Sequence, residues 1–450
     1  MSAVNAVIER MRQQRNKPAI FWKGKILTYA DIIRLIDEWT ERLDYVHIAA
    51  GTTCGVFGDY SPSACSLFFA LMQRQAIIVP FTQEIQSEMP NLSIIAGIEQ
   101  MISFDSNDDY SILRISEPEI PPLVSSFRQR KHPGLIVFTS GSTGQPKGIL
   151  QDCELVMKKF LVERQSWRTI LFLLMDHFGG FNTLLSTFAY GGMGVCLPKR
   201  TPTDVCLAIQ QSSAELLPTT PTFLNFLLAS QDYKNYDLSS IKLITYGTEL
   251  MPSATLEKIH RVFPNARLKQ TYGLSEVGVL RSKSREDNSV WVKIGGNGFE
   301  TKVVDGILWV KSESNMVGYL NAPDPVNEEG FMCTGDQVEV DGEYIRFLGR
   351  ASEIINVGGK KVFPSEVESV LLEAENISEA TVYGEKHPLL GQVPYARISI
   401  AKDEGEDELR ERLRKHCSGR LAKFKIPMRF IIIPKDDQHT VRLKKKRIGL

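Results

Sequence analysis

The stretch Phe138-Thr139-Ser140-Gly141-Ser142-Thr143-Gly144-Gln145-Pro146-Lys147-Gly148 decides how this chain is read. Seven of its eleven residues are Thr, Ser or Gly, so hydroxyl donors and unhindered backbone N–H groups crowd into a short span. Such a loop suits an oligophosphate, and Lys147 adds a full positive charge. The apolar run Gly134-Leu135-Ile136-Val137-Phe138 before it predicts a buried strand that ends where the loop begins. A flexible Ser/Gly linker shares the composition, but apolar segments flank this loop on both sides. The P-loop of kinases and ATPases requires Gly, four residues, then Gly-Lys-Ser/Thr. Here Gly141 is followed by Gly144, and Lys147 by Gly148, so that pattern fails.

A chain of 450 residues exceeds what one hydrophobic core organises, which predicts two or more domains. With 43% hydrophobic and 24% charged residues, the composition is that of an ordinary globular protein. Lys plus Arg and Asp plus Glu both number 53, so no global field attracts nucleic acid or a membrane. No apolar run approaches membrane-spanning length; Thr169 to Met175 has the length of a core strand. Residues 1–15 carry no apolar stretch after their basic residues, which predicts no secretory signal. Seven scattered cysteines without Cys-x-x-Cys spacing predict reduced thiols, a cytoplasmic setting and no zinc site.

Outward from the loop, helical and strand patterns alternate. Tyr29 to Leu43 has helical spacing, and Cys54–Phe57 and Ala76–Pro80 read as strands. A helix between them reaches Arg74, with Ser61 as cap and Pro62 at its first position. The alternation continues through Leu171–Pro198, Asp204–Leu217 and Ser240–Tyr246, which predicts parallel α/β sheets. From about residue 290 short strands between Gly- and Asp-containing turns (290–294, 301–304, 307–310, 338–340) predict a small antiparallel unit. The last hundred residues read as a separate α+β module: helix 364–372, strands 380–383 and 395–400, helix 406–421 and strand 428–433. The expected architecture is a large α/β domain over 1–350 and a small mobile α+β domain over 351–450.

Three further segments bear on the loop. In Gln270-Thr271-Tyr272-Gly273-Leu274-Ser275-Glu276, Tyr272 offers a flat face for a purine and Gly273 admits close backbone approach. Ser275 offers a hydroxyl, and Glu276 is a hard oxygen ligand of the kind Mg²⁺ takes. Thr334-Gly335-Asp336 alone is a common turn. Gly349-Arg350-Ala351-Ser352, running on to Gly358-Gly359-Lys360, falls at the change of texture between the two expected domains. In order, spacing and type these segments resemble the adenylate-forming superfamily of acyl- and aryl-CoA synthetases, adenylation domains and luciferase. The resemblance extends from Ile26-Leu27-Thr28-Tyr29-Ala30-Asp31 through the C-terminal module, and so covers nearly the whole chain.

That resemblance implies roles. Thr139, Ser140, Gly141, Ser142, Thr143, Gly144 and Lys147 hold the pyrophosphate part of ATP, and Gly247 and Thr248 line the adenine. Tyr272 stacks on the base with Gly273 letting backbone approach the nucleotide, Ser275 contacts the α-phosphate, Glu276 binds Mg²⁺, and Asp336 with Arg350 grips the ribose hydroxyls. In Met175-Asp176-His177-Phe178-Gly179-Gly180-Phe181, His177 aligns with a residue flanking the entering carboxylate, although a satisfied core histidine is the plain alternative. Adenylation domains for α-amino acids carry Asp there, so an amino-acid substrate is disfavoured. Phe178, Gly180 and Phe181 then suggest a partly apolar acid pocket.

The family's second lysine aligns best with Lys444 in Thr440-Val441-Arg442-Leu443-Lys444, with Leu443 replacing the usual glycine and Lys445 and Lys446 as adjacent alternatives. Ser352 falls on the hinge about which the small domain rotates, and Gly358 and Gly359 would border the thiol channel. The resemblance thus implies an ATP- and Mg²⁺-dependent acid–thiol ligase that joins a small carboxylic acid to coenzyme A. Loading of a carrier-protein arm, or nucleotide binding without catalysis, are the other readings.

Overall fold

The computed structural model describes residues 2–140, 145–286, 289–296 and 298–434. Four sheets organise them. The first runs, in spatial order, Arg267–Gln270, Leu243–Tyr246, Leu216–Thr219, Arg168–Ile170, Met193–Val195, Pro18–Trp22 and Lys25–Thr28. Every pair in it is parallel except the last. The second runs Gly318–Tyr319, Pro146–Asp152, Gly134–Ser140, Ile77–Phe81, Thr53–Phe57, Gln100–Phe104 and Tyr110–Arg114; its inner strands are parallel and its edges antiparallel. All five residues of Ile77–Phe81 are buried, as a strand covered on both faces requires.

Helices lie against both sheets and share one core with them. Trp39 of Tyr29–Tyr45, Phe68 of Pro62–Gln73 and Phe188 of Phe178–Ala189 pack with Ile20, Val56 and Leu135 from the strands. The helix starts follow local chemistry. Thr28 caps Tyr29–Tyr45 and exchanges bonds with Asp31 in a capping box, while Ser61 accepts from Ala64 N–H ahead of Pro62. The expected strand over Thr169–Met175 is shorter: only Arg168–Ile170 pairs in full, and the chain then leaves the sheet toward the helix that begins at Phe178.

The third sheet is antiparallel: Tyr272–Leu274, Gly278–Ser284, Val292–Gly295, Tyr344–Arg350, Met332–Asp341, Ile307–Ser312 and Phe299–Val304. It begins at Tyr272, not near residue 290. A tight hairpin ending at Gly278, with φ +85°, carries the chain from the parallel sheet straight into the antiparallel one.

The fourth sheet joins Lys360–Val362, Ile355–Val357, Gly391–Ile400 and Ile377–His387, with Arg429–Ile432 pairing in parallel on Gly391–Ile400. Helices Pro364–Glu373 and Glu406–Ser418 cover it, giving a separate core of Val367, Leu371, Leu409 and Leu413 against Val382, Ala396 and Phe430. Sheet membership changes between Arg350 and Ile355. Helix Pro364–Glu373 lies against helix Ser253–Val262 of the larger part, and the Ser365 hydroxyl donates to Leu348 O at 2.7 Å. Among the described residues no helix is long and apolar enough to cross a membrane.

Candidate active site

The parallel strands Leu216–Thr219, Leu243–Tyr246 and Arg267–Gln270 deliver their carboxyl ends to one cleft of about 2420 Å³. Ligands of open α/β sheets bind at this end, where backbone leaves the ladder and side chains converge. The cleft is bordered by the second sheet at Thr139 and Lys147, by the third at Tyr272, Asp336 and Arg350, and by the fourth at Tyr383 and Gly384.

The stem of the phosphate loop is an antiparallel pair in which Thr139 lies opposite Lys147 and Ser140 opposite Pro146. Gly141, Ser142, Thr143 and Gly144 lie outside the described residues. Asn321 clamps the outgoing strand: its Oδ1 accepts from Gly148 N–H at 3.0 Å, and its Nδ2 donates to Pro146 O at 2.8 Å. Lys147 Nζ stands 5.1 Å over the Tyr319 ring, a cation–π contact. The Tyr319 hydroxyl in turn donates to Glu276 Oε1 at 2.8 Å, and burial, aided by the Glu276 charge, pushes that phenol above its ordinary value. Gln151 Nε2 donates to Ser275 O at 2.5 Å, tying the loop's strand to the Ser275–Glu276 turn.

Tyr272 stacks on Phe347, with centroids 4.6 Å apart and planes 20° off parallel, so one ring face is already covered. Its hydroxyl donates to Asp336 Oδ2 at 2.6 Å, while Arg350 Nε meets Asp336 Oδ1 at 2.8 Å. Asp336 and Arg350 are direct partners across neighbouring strands, and Arg350 also donates to Thr334 O at 2.6 Å. Burial holds the Asp336 carboxyl above its usual range against the opposing pull of Arg350 and Tyr272. Gly247 and Thr248 line the same wall. A Cβ on Gly247 would meet Thr271 Oγ1 at 2.5 Å, and Thr248 sits at φ +67°, a conformation that threonine seldom adopts. Gly273 serves its hairpin as much as any ligand, since a Cβ there would stand 2.7 Å from Gly278 O.

On the opposite side His177 precedes helix Phe178–Ala189 at its N-cap and lines the cleft, as do Phe178 and Gly180. Gly180 allows the helix to press on the preceding segment: an added Cβ would lie 1.9 Å from Leu174 O. Phe181 does not line the cleft. It is fully buried and packs edge-on against Phe68, at 5.6 Å, because its position on the helix points into the core. The helix's cleft face is instead Gly179, Asn182, Thr183, Ser186 and then Tyr190. Phe160, Phe172, Leu173, Leu174 and Phe178 line the cleft beside this polar face.

Ser352 is exposed in the short turn Ala351–Glu353 at the cleft's rim. Gly358 and Gly359, at φ +56° and +85°, form the tip of the hairpin Ile355–Val357/Lys360–Val362, and neither lines the cleft in this arrangement. Lys444 and its neighbours Lys445 and Lys446 lie outside the described residues. Sequence reasoning missed Tyr319, Asn321 and Phe347, which support Glu276, the loop stem and Tyr272; none stands in a motif with a composition of its own.

The residues fit a nucleotide. The glycine-walled recess at Gly247, the open side of Tyr272, the buried Asp336 and the Lys147 cation fall along one cleft. They also fit Mg²⁺: no group of three His, Cys, Asp or Glu could hold a metal among the described residues, but Mg²⁺ needs only one or two carboxylates beside phosphates and water. Glu276 supplies one.

Fold and cleft together are those of an adenylate-forming enzyme. The sequence model of the AMP-binding enzyme family matches residues 7–320, and that of the AMP-binding enzyme C-terminal domain matches residues 366–444. The chain belongs to the AMP-binding enzyme family.

Among its relatives, acyl-CoA synthetase 7 of Caenorhabditis elegans is 28% identical over 64% of this chain and 59% of that protein. The 2-succinylbenzoate–CoA ligase of Bacillus subtilis is 28% identical over 69% and 67%, and the indoleacetate–CoA ligase of Aromatoleum aromaticum 25% over 93% and 91%. The match to the worm protein thus spans about three fifths of that relative. In fold the chain is similar to an anthranilate CoA ligase in complex with anthranoyl-AMP (TM-score 0.83, 20% identity, 99% of this chain and 95% of the other). It is similar also to an o-succinylbenzoate CoA synthetase from Bacillus subtilis with its acyl-adenylate intermediate (TM-score 0.75, 21% identity, 98% and 96%).

Proposed function

We propose that this chain is an ATP-dependent acid–thiol ligase. One observation carries the reading: Thr139, Lys147, His177, Glu276, Asp336 and Arg350, drawn from distant segments, meet in a single cleft at the carboxyl ends of parallel strands. A carboxylate oxygen attacks the ATP α-phosphorus and pyrophosphate leaves. A thiol sulfur then loses its proton and bonds to the acyl carbon, the bond from that carbon to the phosphate oxygen breaks, and AMP leaves with the electron pair. Relatives named as CoA ligases support coenzyme A as the thiol.

Each group has a physical task. Asp336, fixed by Tyr272 and Arg350, presents carboxylate oxygens to two ribose hydroxyls. Lys147 and the loop N–H groups neutralise the leaving pyrophosphate, and Mg²⁺ on Glu276 would add charge stabilisation there. Lys444, placed by its spacing from Thr440, is the electrostatic partner of the first half-reaction. The boundary between the two domains falls after Arg350, and Ser352 is the hinge. The Gly358–Gly359 turn stands outside the cleft, which supports rotation of the small domain before thiol transfer. Seven cysteines without a disulfide accord with a reducing, cytoplasmic setting.

ATP–pyrophosphate exchange across a panel of carboxylic acids tests the proposal. Acid-dependent exchange, lost in Lys147→Ala and Asp336→Ala, is the expected result. ATP binding without exchange for any acid would reduce the chain to a nucleotide binder.

A further inference from the structure

The acid side of the cleft holds cations that the nucleotide chemistry leaves unused. Lys159 follows helix Cys153–Lys158 and lines the cleft with its Nζ 5.0 Å from the Phe160 ring and 5.8 Å from that of Phe178. It donates to Asn182 Oδ1, a neutral acceptor. Lys269 lines the same cleft from strand Arg267–Gln270, half-buried between the buried Leu268 and Gln270. Arg164 and Arg281 complete the group, Arg281 from strand Gly278–Ser284.

These cations bear on one another. Burial, then the Arg164 charge, brings the Lys159 ammonium down to about 7, and burial with Arg164 and Arg267 lowers Lys269. Arg164 and Arg281 both act on the Tyr190 phenol. Among the described residues none of the four forms an ion pair with a carboxylate. Three of the carboxylates that line the cleft are engaged elsewhere: Glu276 by Tyr319, Asp336 by Arg350, and Glu249 by the Thr222 hydroxyl at 2.6 Å. Arg164 and Arg281 are exposed at the rim, but the Lys159 ammonium is deeply buried and Lys269 half-buried, and cations so placed oppose folding unless something negative joins them. Beside them Asn182 and Tyr190 bring a neutral amide and a phenol to the cleft, whereas the Thr183 and Ser186 hydroxyls donate to Gly179 O and Thr183 O of their own helix. A plain hydrocarbon tail would strip water from all of these and replace none of its bonds.

We propose that the acid activated here carries a second anionic group, seated against Lys159 and Lys269 and hydrogen-bonded by the Asn182 amide and the Tyr190 hydroxyl. The substrate class is then a dicarboxylic acid or an equivalent acid with a distal negative charge, and simple fatty acids are excluded. The inference rests on the acid-activating reading above. The phosphates of a thiol co-substrate are the other anion that could meet Arg164 and Arg281, so the test contains no thiol.

Binding of non-hydrolysable acyl-sulfamoyl adenosines, measured by calorimetry, separates the possibilities without turnover. Succinyl, glutaryl and adipoyl derivatives are paired with butanoyl, pentanoyl and hexanoyl ones of equal length. At least one carboxyl-ended compound should bind roughly ten- to a hundred-fold more tightly than its alkyl partner, the scale of one charge-assisted hydrogen bond. Lys159→Met should erase most of that advantage while leaving alkyl analogues nearly as before, and Lys269→Met gives an independent reading should the first variant not fold. Equal or tighter binding of every alkyl partner overturns the substrate class alone. Failure of all six compounds to bind overturns the acid-activating reading beneath it.

Discussion

The Tyr319 hydroxyl donates to Glu276 Oε1 at 2.8 Å while the same ring lies beneath Lys147 Nζ at 5.1 Å. One side chain therefore orients both the carboxylate proposed for Mg²⁺ and the cation proposed for pyrophosphate. Tyr319→Phe removes the hydroxyl but keeps the ring, so the two roles come apart. The Mg²⁺ concentration giving half-maximal pyrophosphate exchange should rise by roughly tenfold, as for loss of an outer-shell partner. Pyrophosphate affinity in the reverse direction should change little. An unchanged Mg²⁺ titration would mean that Glu276 is not held for metal by Tyr319.

Much of this arrangement was legible in the sequence because function demands residue types that composition cannot hide. The Gly/Ser/Thr loop and the Tyr272–Glu276 run stand out as polar or glycine-rich breaks, whereas Asp336 and Arg350 lie within strands Met332–Asp341 and Tyr344–Arg350 and were legible only through the resemblance. What stayed hidden has a common physical cause. Phe181 sits next to cleft residues in sequence, but one helical step turns it inward onto Phe68. The strand Gly278–Ser284 precedes the expected start of the antiparallel unit near residue 290, and its polar second half, Arg281–Ser284, gives no apolar run to mark it. Tyr319 and Asn321 act through single bonds across the sheet edge, and no local pattern announces such a partner.

Gly180 and Gly179 are neighbours in one helix with opposite tolerance. A Cβ at Gly180 would lie 1.9 Å from Leu174 O, whereas at Gly179 the nearest atom is Leu173 Cδ1 at an ordinary 3.5 Å. Gly180→Ala should destabilise by at least about 1–3 kcal/mol, the range of overpacking, because backbone must move. Gly179→Ala should be neutral or gain up to about 1 kcal/mol from reduced chain entropy. Urea unfolding of both variants checks the contrast, and equal stability would mean that helix Phe178–Ala189 is not pressed against Leu173–Leu174.

Lys159 predicts a pH dependence. Its ammonium titrates near 7 in the folded protein, chiefly through burial, and near the ordinary lysine value when unfolded. Between those values the unfolded chain binds the extra proton, so stability rises with pH across the window from about 7 to about 10. Below about 7 both states are protonated and the cost of the buried charge is fully present. The free protein should therefore gain stability from pH 7 to 9 relative to Lys159→Met, in which this contribution is absent. Parallel pH profiles of thermal unfolding for the two proteins would remove Lys159 as their source.

The last prediction concerns the rotation of the small domain. Ser352 lies in the turn Ala351–Glu353, between the strand that ends at Arg350 and the one that starts at Ile355 in another sheet. In this arrangement Tyr383, Gly384 and Gln392 border the cleft, while the Gly358–Gly359 turn does not. Proline fixes φ near −65° and lacks an N–H, so Ser352→Pro should restrict the torsion that exchanges these two faces. Acyl-AMP formation, read by pyrophosphate exchange, should persist, because Asp336 and Arg350 precede the turn. Thioester formation should fall by roughly tenfold or more, as expected where a closing motion gates the second step. A variant that makes thioester at the unaltered rate would place the hinge elsewhere. Equal loss of both half-reactions, with a lowered unfolding midpoint, would show instead that the proline disrupts the Arg350–Asp336 pair two residues away.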